Sequence, residues 1–206
     1  MTRTTQPRDA RFAAAVGRFD AANAEDPSFD IVDGAPRPKA LVYADRMTAM
    51  LARFVPDASE TLELAARCQH IERWKVPRDA YAMTRAGYHE WRARLRDFHA
   101  DRAAPILREA GYDEATIARV RALIRKERMK SDPEAQALED VVALVFLESY
   151  LVDFVGSHAE YDETKLIDIL QKTGRKMSAR GRAAALSDIA LSPAIEPVIR
   201  RAMDAC

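Results

Sequence analysis

The sequence predicts an all-α protein that folds as a single helical domain over residues 1–206. Only 7 glycines occur, whereas alanine, leucine, arginine and glutamate are plentiful. Apolar residues also recur at helical spacing, and strand-like alternation is scarce. The core is expected at about residues 28–186, with an N-terminal helix and a C-terminal amphipathic segment as appendages.

The first predicted helix, Arg8–Asn23, carries Phe12 and Phe19 on one stripe. Pro27 limits it, because the residue before a proline avoids the helical region of backbone space. The loop that follows contains a short extended piece at Phe29–Val32. This extended piece is the one strand-like feature that the sequence predicts.

The second predicted helix runs over about Lys39–Phe54, and Pro56 ends it. Asp57 or Ser59 then caps a third helix that leads to His70. The sequence therefore predicts that an ionisable ring meets the protein interior at the end of a helix.

The fourth predicted helix begins near Ala86, after a loop over about Lys75–Met83. Pro105 is expected to break or kink this helix, because proline removes a backbone donor and its ring clashes with the preceding turn. Gly111 is a fitting stop. A pattern with few breakers elsewhere thus predicts one long helix with a disturbance near its end.

Helix caps are the main signals in the second half of the chain. Asp113 caps a fifth helix, and the run Ser131-Asp132-Pro133-Glu134 starts another that extends to about Val155. This helix is apolar nearly all round, which predicts that it is the most buried one. Asp162 opens a further helix, and Ser192-Pro193 starts the last amphipathic segment.

The charge balance excludes a global attraction to nucleic acid or to an anionic membrane. Lysine plus arginine equals aspartate plus glutamate at 32 each, so the formal net charge is zero. The longest apolar run, Val141–Leu147, is too short to span a bilayer. No membrane association is therefore expected.

The two cysteines, Cys68 and Cys206, are far apart and form no CxxC pair. Neither a disulfide framework nor a thiolate zinc site is supported, and the N-terminus lacks the apolar core of a secretory signal. The expected location is the cytoplasm.

The segment from Leu41 to His70 resembles the opening of an HD-domain protein. In that family one helix carries a metal-binding histidine, and a second ends in a His-Asp doublet. Here Tyr43 takes the place of the first histidine, Gln69 and His70 take the doublet, and Asp140 falls on the family's final aspartate. The resemblance implies an HD-like helical core and the chemistry of metal-dependent phosphohydrolases.

A second resemblance covers roughly Phe29 to Gly181. The segments LVYADRM, CQHIERWKVPR, AGYHEWR, LEDVVALVFLE and KLIDILQKTGRKMS occur in order. They resemble the family known as domain of unknown function 4202. This resemblance implies membership of one family over most of the chain and implies no activity.

His70 is the first candidate for a functional residue. It follows Leu62 and Ala66 at intervals of four, so all three share a helix face. A neutral imidazole binds transition metals and acts as a general base near neutral pH. The alternative is a half-buried histidine that is hydrogen-bonded to a carbonyl or a carboxylate.

Two acids and a second histidine complete the predicted metal site. Asp140 and Glu148 share one side of the buried helix, and His99 flanks the core stripe of its own helix. A buried carboxylate needs a cation, a hydrogen bond or a metal. His70 and Asp140 are therefore predicted as catalytic residues, and a divalent transition metal is predicted on His70, Asp140, His99 and Glu148. The alternative is an ion pair between Asp140 and a core-facing arginine such as Arg73.

The predicted substrate-binding residues carry cations or an aromatic ring around the loop after His70: Arg73, Trp74, Arg78, Arg85 and Lys126. Arginine binds phosphate through two parallel hydrogen bonds and stacks on aromatic faces. The alternative is a solvated loop with surface ion pairs. Arg92 also belongs to this group of arginines around the loop, and it falls with Arg96 and His89 on the side of its helix that looks solvent-facing.

Two basic runs would outline an anion or RNA surface if both fall beside the arginine loop: Arg125, Lys126, Arg128 and Lys130, and Lys172, Arg175 and Lys176. Positive charge near a helix C-terminus also complements the helix dipole. Neither run is interleaved with aromatic residues, which weakens the RNA interpretation.

The leading hypothesis is a metal-dependent hydrolase that acts on a small phosphorylated or nucleotide-like molecule. The alternative is a non-catalytic module that binds a nucleotide or RNA on a degenerate HD-like scaffold. A third hypothesis is self-association through the amphipathic segment Ile195–Met203.

Overall fold

The computed structural model describes residues 10–129 and 131–205. Helices account for most of these residues, which confirms the predicted all-α class. The chain divides into two compact units. The first contains the described residues up to Ala49 together with Asp57–Glu127, and the second contains Met50–Pro56 together with the described residues from Arg128 onward. One domain over 1–206 therefore stays a prediction.

Short helices, one hairpin and one long helix build the first unit. In chain order they are α1 (Ala10–Ala24), β1 (Phe29–Val32), β2 (Ala35–Pro38), α2 (Lys39–Phe54), α3 (Glu60–Cys68), two single 3-10 turns (Arg73–Lys75 and Arg78–Ala80), α4 (Arg85–Glu109) and α5 (Glu114–Arg125). The residues of α2 from Met50 onward belong to the second unit. The side chain of Ser59 accepts a hydrogen bond from the Leu62 backbone, so Ser59 is the cap of α3.

The predicted extended piece is strand β1, which pairs antiparallel with β2. Phe29 lies opposite Pro38 at the open end of this hairpin. The two turn residues, Asp33 and Gly34, have φ angles of 52° and 79°, which suits the tight turns that match the twist of paired strands. Sequence reasoning missed β2 because its two prolines argue against a paired strand.

Helices α3 and α4 provide the frame of the first unit. Helix α5 packs against both, and α1 also contacts both. Arg67 of α3 is almost fully buried, and its guanidinium reaches Asp20 of α1 at 2.6 Å and Asp45 of α2 at 2.8 Å. A buried charge is tolerated when it is paired in this way. These ion pairs fix α3, and hence the chain that leaves its end.

Pro105 does not break the fourth helix, which was one of the two outcomes predicted for it. Helix α4 continues through it from Arg85 to Glu109. Ala103, Ile106 and Leu107 are buried around this position, and their burial outweighs the single backbone bond that a proline removes. Gly111 does terminate the helical path, with φ of 90°, as predicted.

The second unit contains the remaining helices: α6 (Pro133–Ser149), α7 (Leu151–Gly156), α8 (Glu163–Gly174), α9 (Ala179–Ser187) and α10 (Glu196–Asp204). The helix predicted to reach Val155 is interrupted at Tyr150, where φ is −127°. Nine of the 17 residues of α6 are buried, in agreement with its apolar sequence. The sequence analysis missed α9, which has a weak apolar pattern.

The amphipathic segment at the C-terminal end is covered within the second unit. Helix α10 packs against α8 and α9, and it buries Ile199, Ala202 and Met203. The apolar face that suggested self-association therefore already has a partner. Among the described residues, no helix is both long and apolar enough to cross a membrane. The predictions that concern Arg8, Lys130 and Cys206 fall outside the described residues.

Candidate functional site

The chain that leaves α3 places three adjoining side chains together. Helix α3 ends at Cys68, so Gln69 and His70 lie in the first turn beyond it. The hydroxyl of Tyr43 donates to Oε1 of Gln69 at 2.9 Å, and the Tyr43 ring stacks on His70 with centroids 4.2 Å apart. The residues at the first three positions of the HD resemblance therefore contact one another.

His99 of α4 approaches the same turn from the other side. Its Nδ1 lies 2.8 Å from the backbone carbonyl of Ile71. Because a carbonyl oxygen only accepts, Nδ1 carries the hydrogen, and Nε2 of the neutral ring presents a lone pair. Only 2% of His99 is exposed, and its Nε2 has no hydrogen-bond partner among the described residues. The ring centroids of His70 and His99 are 5.6 Å apart.

Arg73 extends from the first 3-10 turn into the same region. Its guanidinium lies over the Trp91 ring, 4.8 Å from the centroid, and its Nη1 is buried with no hydrogen-bond partner among the described residues. The Trp91 indole in turn donates to the carbonyl of Val76 at 2.9 Å, which anchors the turn. Burial, with repulsion from Arg92, lowers the pKa of Arg73 to about 10, so the side chain stays charged at neutral pH.

These side chains border one pocket, which we call the His70 pocket. It is lined by Gln69, His70, Arg73, Arg92, Leu95, Arg96, His99, Ile124 and Lys126. Four of the nine are cations, and none is a carboxylate. A lining of this charge suits the charged end of a small anionic molecule.

Both histidines of the pocket are held neutral. Burial lowers the pKa of His70 well below its ordinary value, and repulsion from Arg73, His99, Arg92 and Lys126 adds to the effect. Burial likewise lowers the pKa of His99 to about 3, and the hydrogen bond to Ile71 opposes that shift only in part. The positive charge of the pocket therefore comes from its arginines and its lysine.

Lys126 sits at the end of α5 in a left-handed conformation with φ of 61°. This conformation suits the residue just past a helix end, although glycine is the usual occupant. The turn directs the chain so that Lys126 lines the pocket together with Ile124. Glu72, on the α3 side, also has a positive φ of 50°. The backbone thus departs from common geometry at two points next to the pocket.

Four of the predicted site residues meet in this pocket, namely His70, His99, Arg73 and Lys126. The other substrate-binding candidates have different environments. Arg78 donates to the carbonyls of Tyr81 and Ala82 at 3.0 Å and 2.9 Å, so it orders its own loop. Trp74 is half-buried and Arg85 is exposed, and neither belongs to the pocket lining.

Arg92 and Arg96 of α4 also line the pocket. Both were expected with His89 on the solvent-facing side of the helix, and Arg92 was also grouped with the arginines around the loop after His70. Arg96 is indeed exposed, whereas Arg92 is half-buried. Arg92, Arg96 and His99 are four and then three residues apart, which places all three on one face of α4. That spacing was a usable signal for the pocket.

Asp140 has a structural environment in the second unit. It is 2% exposed, and its carboxylate accepts from the Ser178 backbone at 2.8 Å, the Ser178 hydroxyl at 2.5 Å and the Gln136 amide at 3.1 Å. The Ser178 hydroxyl donates to Asp140 and accepts from the backbone of Gly181, so it also caps α9. These hydrogen bonds supply the partners that a buried carboxylate needs.

Glu148 is also engaged within the second unit. One of its carboxylate oxygens pairs with Arg53 at 2.7 Å, and the other accepts from the backbone of Ala190 at 3.1 Å. Like Asp140, it therefore already has hydrogen-bonding partners.

The described residues provide no cluster of side chains for the predicted metal site. Across the described parts of the chain, no group of three or more histidine, cysteine, aspartate or glutamate side chains is placed to hold a metal ion. The His70 pocket contributes two imidazoles, and a stable transition-metal site usually needs further ligands. The residues present therefore do not fit a protein-bound metal.

The basic runs are partly neutralised by nearby acids. Arg125 pairs with Asp97 and Asp101, each at 2.9 Å, and Lys172 pairs with Asp168 at 2.5 Å. Such pairs reduce the positive potential that RNA binding requires. An RNA partner stays a prediction.

Comparison with known proteins gives one match. A family model described as Domain of unknown function (DUF4202) matches residues 13–199. No curated protein and no solved structure matches the chain. The match covers most of the chain, including every residue of the His70 pocket.

Proposed function

The chain belongs to the family described as Domain of unknown function (DUF4202), and from the pocket geometry we propose that it binds the anionic group of a small phosphorylated molecule in the His70 pocket. The observation that carries the proposal is the pocket lining, which combines four cations with no carboxylate. Cations that converge in a lining that contains no carboxylate create a positive local potential.

Arg73 supplies the most specific support. Arginine recognises phosphate and carboxylate groups through a planar fork of donors. One face of this guanidinium is fixed over Trp91, and Nη1 is a buried donor without a partner. A buried donor of this kind costs about 1–3 kcal/mol until an acceptor binds it. An anion in the pocket would remove that cost.

The donor set favours binding without a metal over the predicted metal-dependent hydrolase. The two imidazoles of the pocket are neutral, and Asp140 and Glu148 already have hydrogen-bonding partners in the second unit. The proposed activity is therefore recognition of the ligand, and the bound anion is expected to persist in the presence of a chelator.

A matched pair of variants tests the proposal. Arg92 lines the pocket, whereas Arg94 is exposed two residues away, on the opposite side of α4. We expect sodium phosphate, sulfate or pyrophosphate to raise the melting temperature above that in sodium chloride of equal ionic strength. At ten times the Kd the gain is about 1.4 kcal/mol, or roughly 3–6 °C for a chain of this size.

Arg92→Gln should weaken this effect at least about tenfold in Kd, as expected when a charged hydrogen bond is lost, and Arg94→Gln should retain it. All measurements are repeated with a chelator. The proposal is wrong if none of the three anions stabilises the unmodified protein beyond sodium chloride, or if both variants lose the effect equally. If the anions stabilise the protein without a chelator but not with one, anion binding depends on a metal. The metal-dependent hydrolase would then be the better hypothesis.

Lys126→Gly separates backbone strain from ligand binding. Glycine adopts φ near 61° freely, so the free energy of unfolding should rise by up to about 1 kcal/mol. The same change removes one pocket cation, so phosphate should bind more weakly. Urea unfolding and calorimetric titration with phosphate measure the two effects. A variant that is both less stable and unchanged in phosphate affinity would contradict this account.

A further inference from the structure

We propose that the His70 pocket selects an oxyanion that carries an O–H group, namely hydrogen phosphate or the monoanion of a phosphomonoester. This inference rests on the proposed function and specifies its ligand. Two buried atoms without partners carry it: one is a donor on Arg73, and the other is an acceptor on His99.

The position of one hydrogen on the His99 ring identifies Nε2 as the acceptor. Nδ1 of His99 lies 2.8 Å from the Ile71 carbonyl, and that bond requires a hydrogen on Nδ1. The ring is neutral at pH 7, so Nε2 has a lone pair and no hydrogen. His99 is 2% exposed, which keeps bulk water from serving this atom freely. Nε2 of His99 is therefore a buried hydrogen-bond acceptor with no donor among the described residues.

The donor is Nη1 of Arg73, which is also buried and also without a partner. Both side chains line the same pocket. A ligand that satisfies both atoms must accept a hydrogen bond from Arg73 and donate one to His99. A fully ionised oxyanion satisfies the first requirement and fails the second, because it brings only lone pairs to face the lone pair of Nε2.

A requirement for an O–H group distinguishes phosphate from sulfate. Near neutral pH, inorganic phosphate keeps at least one O–H group, whereas sulfate has none. The two ions have nearly the same size and shape. A buried site built around one hydrogen bond rejects an analogue that cannot make it, because the polar atom of the site stays unpaired. Phosphate and sulfate therefore test the O–H requirement with little change in fit.

The experiment is calorimetric titration of the full-length protein with phosphate and with sulfate at pH 7 and constant ionic strength. We expect phosphate to bind about 10- to 100-fold more tightly than sulfate, the ratio expected from one unpaired buried polar group. Methyl phosphate at pH 6 and dimethyl phosphate extend the series. Dimethyl phosphate has no O–H group and should bind as weakly as sulfate.

His99→Asn tests the residue that sets this selectivity. The asparagine amide retains a donor for the Ile71 carbonyl but is too short to replace Nε2. We expect the preference for phosphate to fall to about threefold or less, as one acceptor is removed. His89→Asn is the matched control, because His89 is exposed on the same helix. It should retain the full preference, and melting curves establish that both variants are folded.

Each outcome separates this inference from the proposed function. Equal binding of phosphate and sulfate by the unmodified protein would overturn the O–H requirement and leave the anion pocket standing. Binding of neither ion would overturn both. A preference that His99→Asn leaves unchanged would show that another residue sets it, which overturns the role of His99. Tight binding of methyl phosphate identifies a monoester ligand, and binding of inorganic phosphate alone identifies the free ion; both results support the requirement.

Discussion

Acidification from pH 7 to pH 5 should destabilise the protein through its two pocket histidines. The folded state lowers the pKa of His99 to about 3 and that of His70 well below its ordinary value. Below the ordinary histidine pKa, these two residues therefore bind protons in the unfolded chain but not in the folded chain. Below pH 6.5 the free energy of unfolding should fall by about 1.4 kcal/mol per pH unit for each such histidine.

The sign and the window follow from these directions. Above pH 6.5 both states are neutral at these residues, and no loss occurs. Between pH 6.5 and pH 5, His99 alone should cost about 2 kcal/mol, and His70 adds a loss of the same sign. The window stops at pH 5 to avoid carboxylates such as Glu72. Burial raises the pKa of Glu72, but hydrogen bonds from Arg102 and Lys75 outweigh burial and lower it overall.

Urea unfolding at pH 7, 6 and 5, in a buffer free of phosphate and sulfate, measures this slope. His99→Asn should remove roughly one histidine's share of it, or about 1.4 kcal/mol per pH unit, whereas His89→Asn should leave it unchanged. A stability that is flat from pH 7 to pH 5 in the unmodified protein would contradict the assigned neutral state of both rings.

Gly181→Ala should destabilise the second unit by about 2–4 kcal/mol, in the range of changes that disturb a buried polar network. A Cβ at this position would lie 2.6 Å from Cγ of Asp140 and 2.7 Å from its Oδ1. Asp140 is buried and its short side chain is held by Ser178 and Gln136. The carboxylate would have to move, and it would lose these hydrogen bonds inside the protein.

Gly17→Ala provides the contrast, because no atom lies within 4 Å of a Cβ there and the residue is within α1. That change should stabilise the protein by about 0.5–1 kcal/mol, since alanine favours the helix. Denaturation followed by circular dichroism measures both variants. A Gly181→Ala variant as stable as the unmodified protein would show that the Asp140 network is dispensable, contrary to this interpretation.

Local signals explain why most helix starts were predicted correctly. The side chains of Ser59, Asp113, Asp132 and Asp162 all accept backbone hydrogen bonds at the starts of their helices. A cap acts within three residues, so its effect is readable from a short segment. Whether a helix continues past Pro105 or ends at Tyr150 is harder to read, because packing against residues distant in the chain can override the local signal.

The candidate site was predictable only in part, for the same reason. His70 and His99 were recognised because each lies near an apolar stripe, and Arg73 because it follows His70 closely. The shared pocket of Arg92, Arg96 and His99 was not predicted, because a single helix viewed alone does not show which charged side chains another element approaches. The pairing of Asp140 with Ser178 joins residues that are 38 positions apart, and no local pattern encodes it.

The amino-acid sequence by itself determined the helical class, the caps, the family resemblance and the presence of candidate histidines and arginines. Tertiary structure alone decided that the end of α3, the face of α4 and the end of α5 surround one cationic pocket, and that Asp140 supports α9. The physical reason is the distance along the chain over which each interaction acts. Helix propensity and capping depend on neighbours within one or two turns, whereas a pocket and its orphaned polar atoms exist only after separate helices pack.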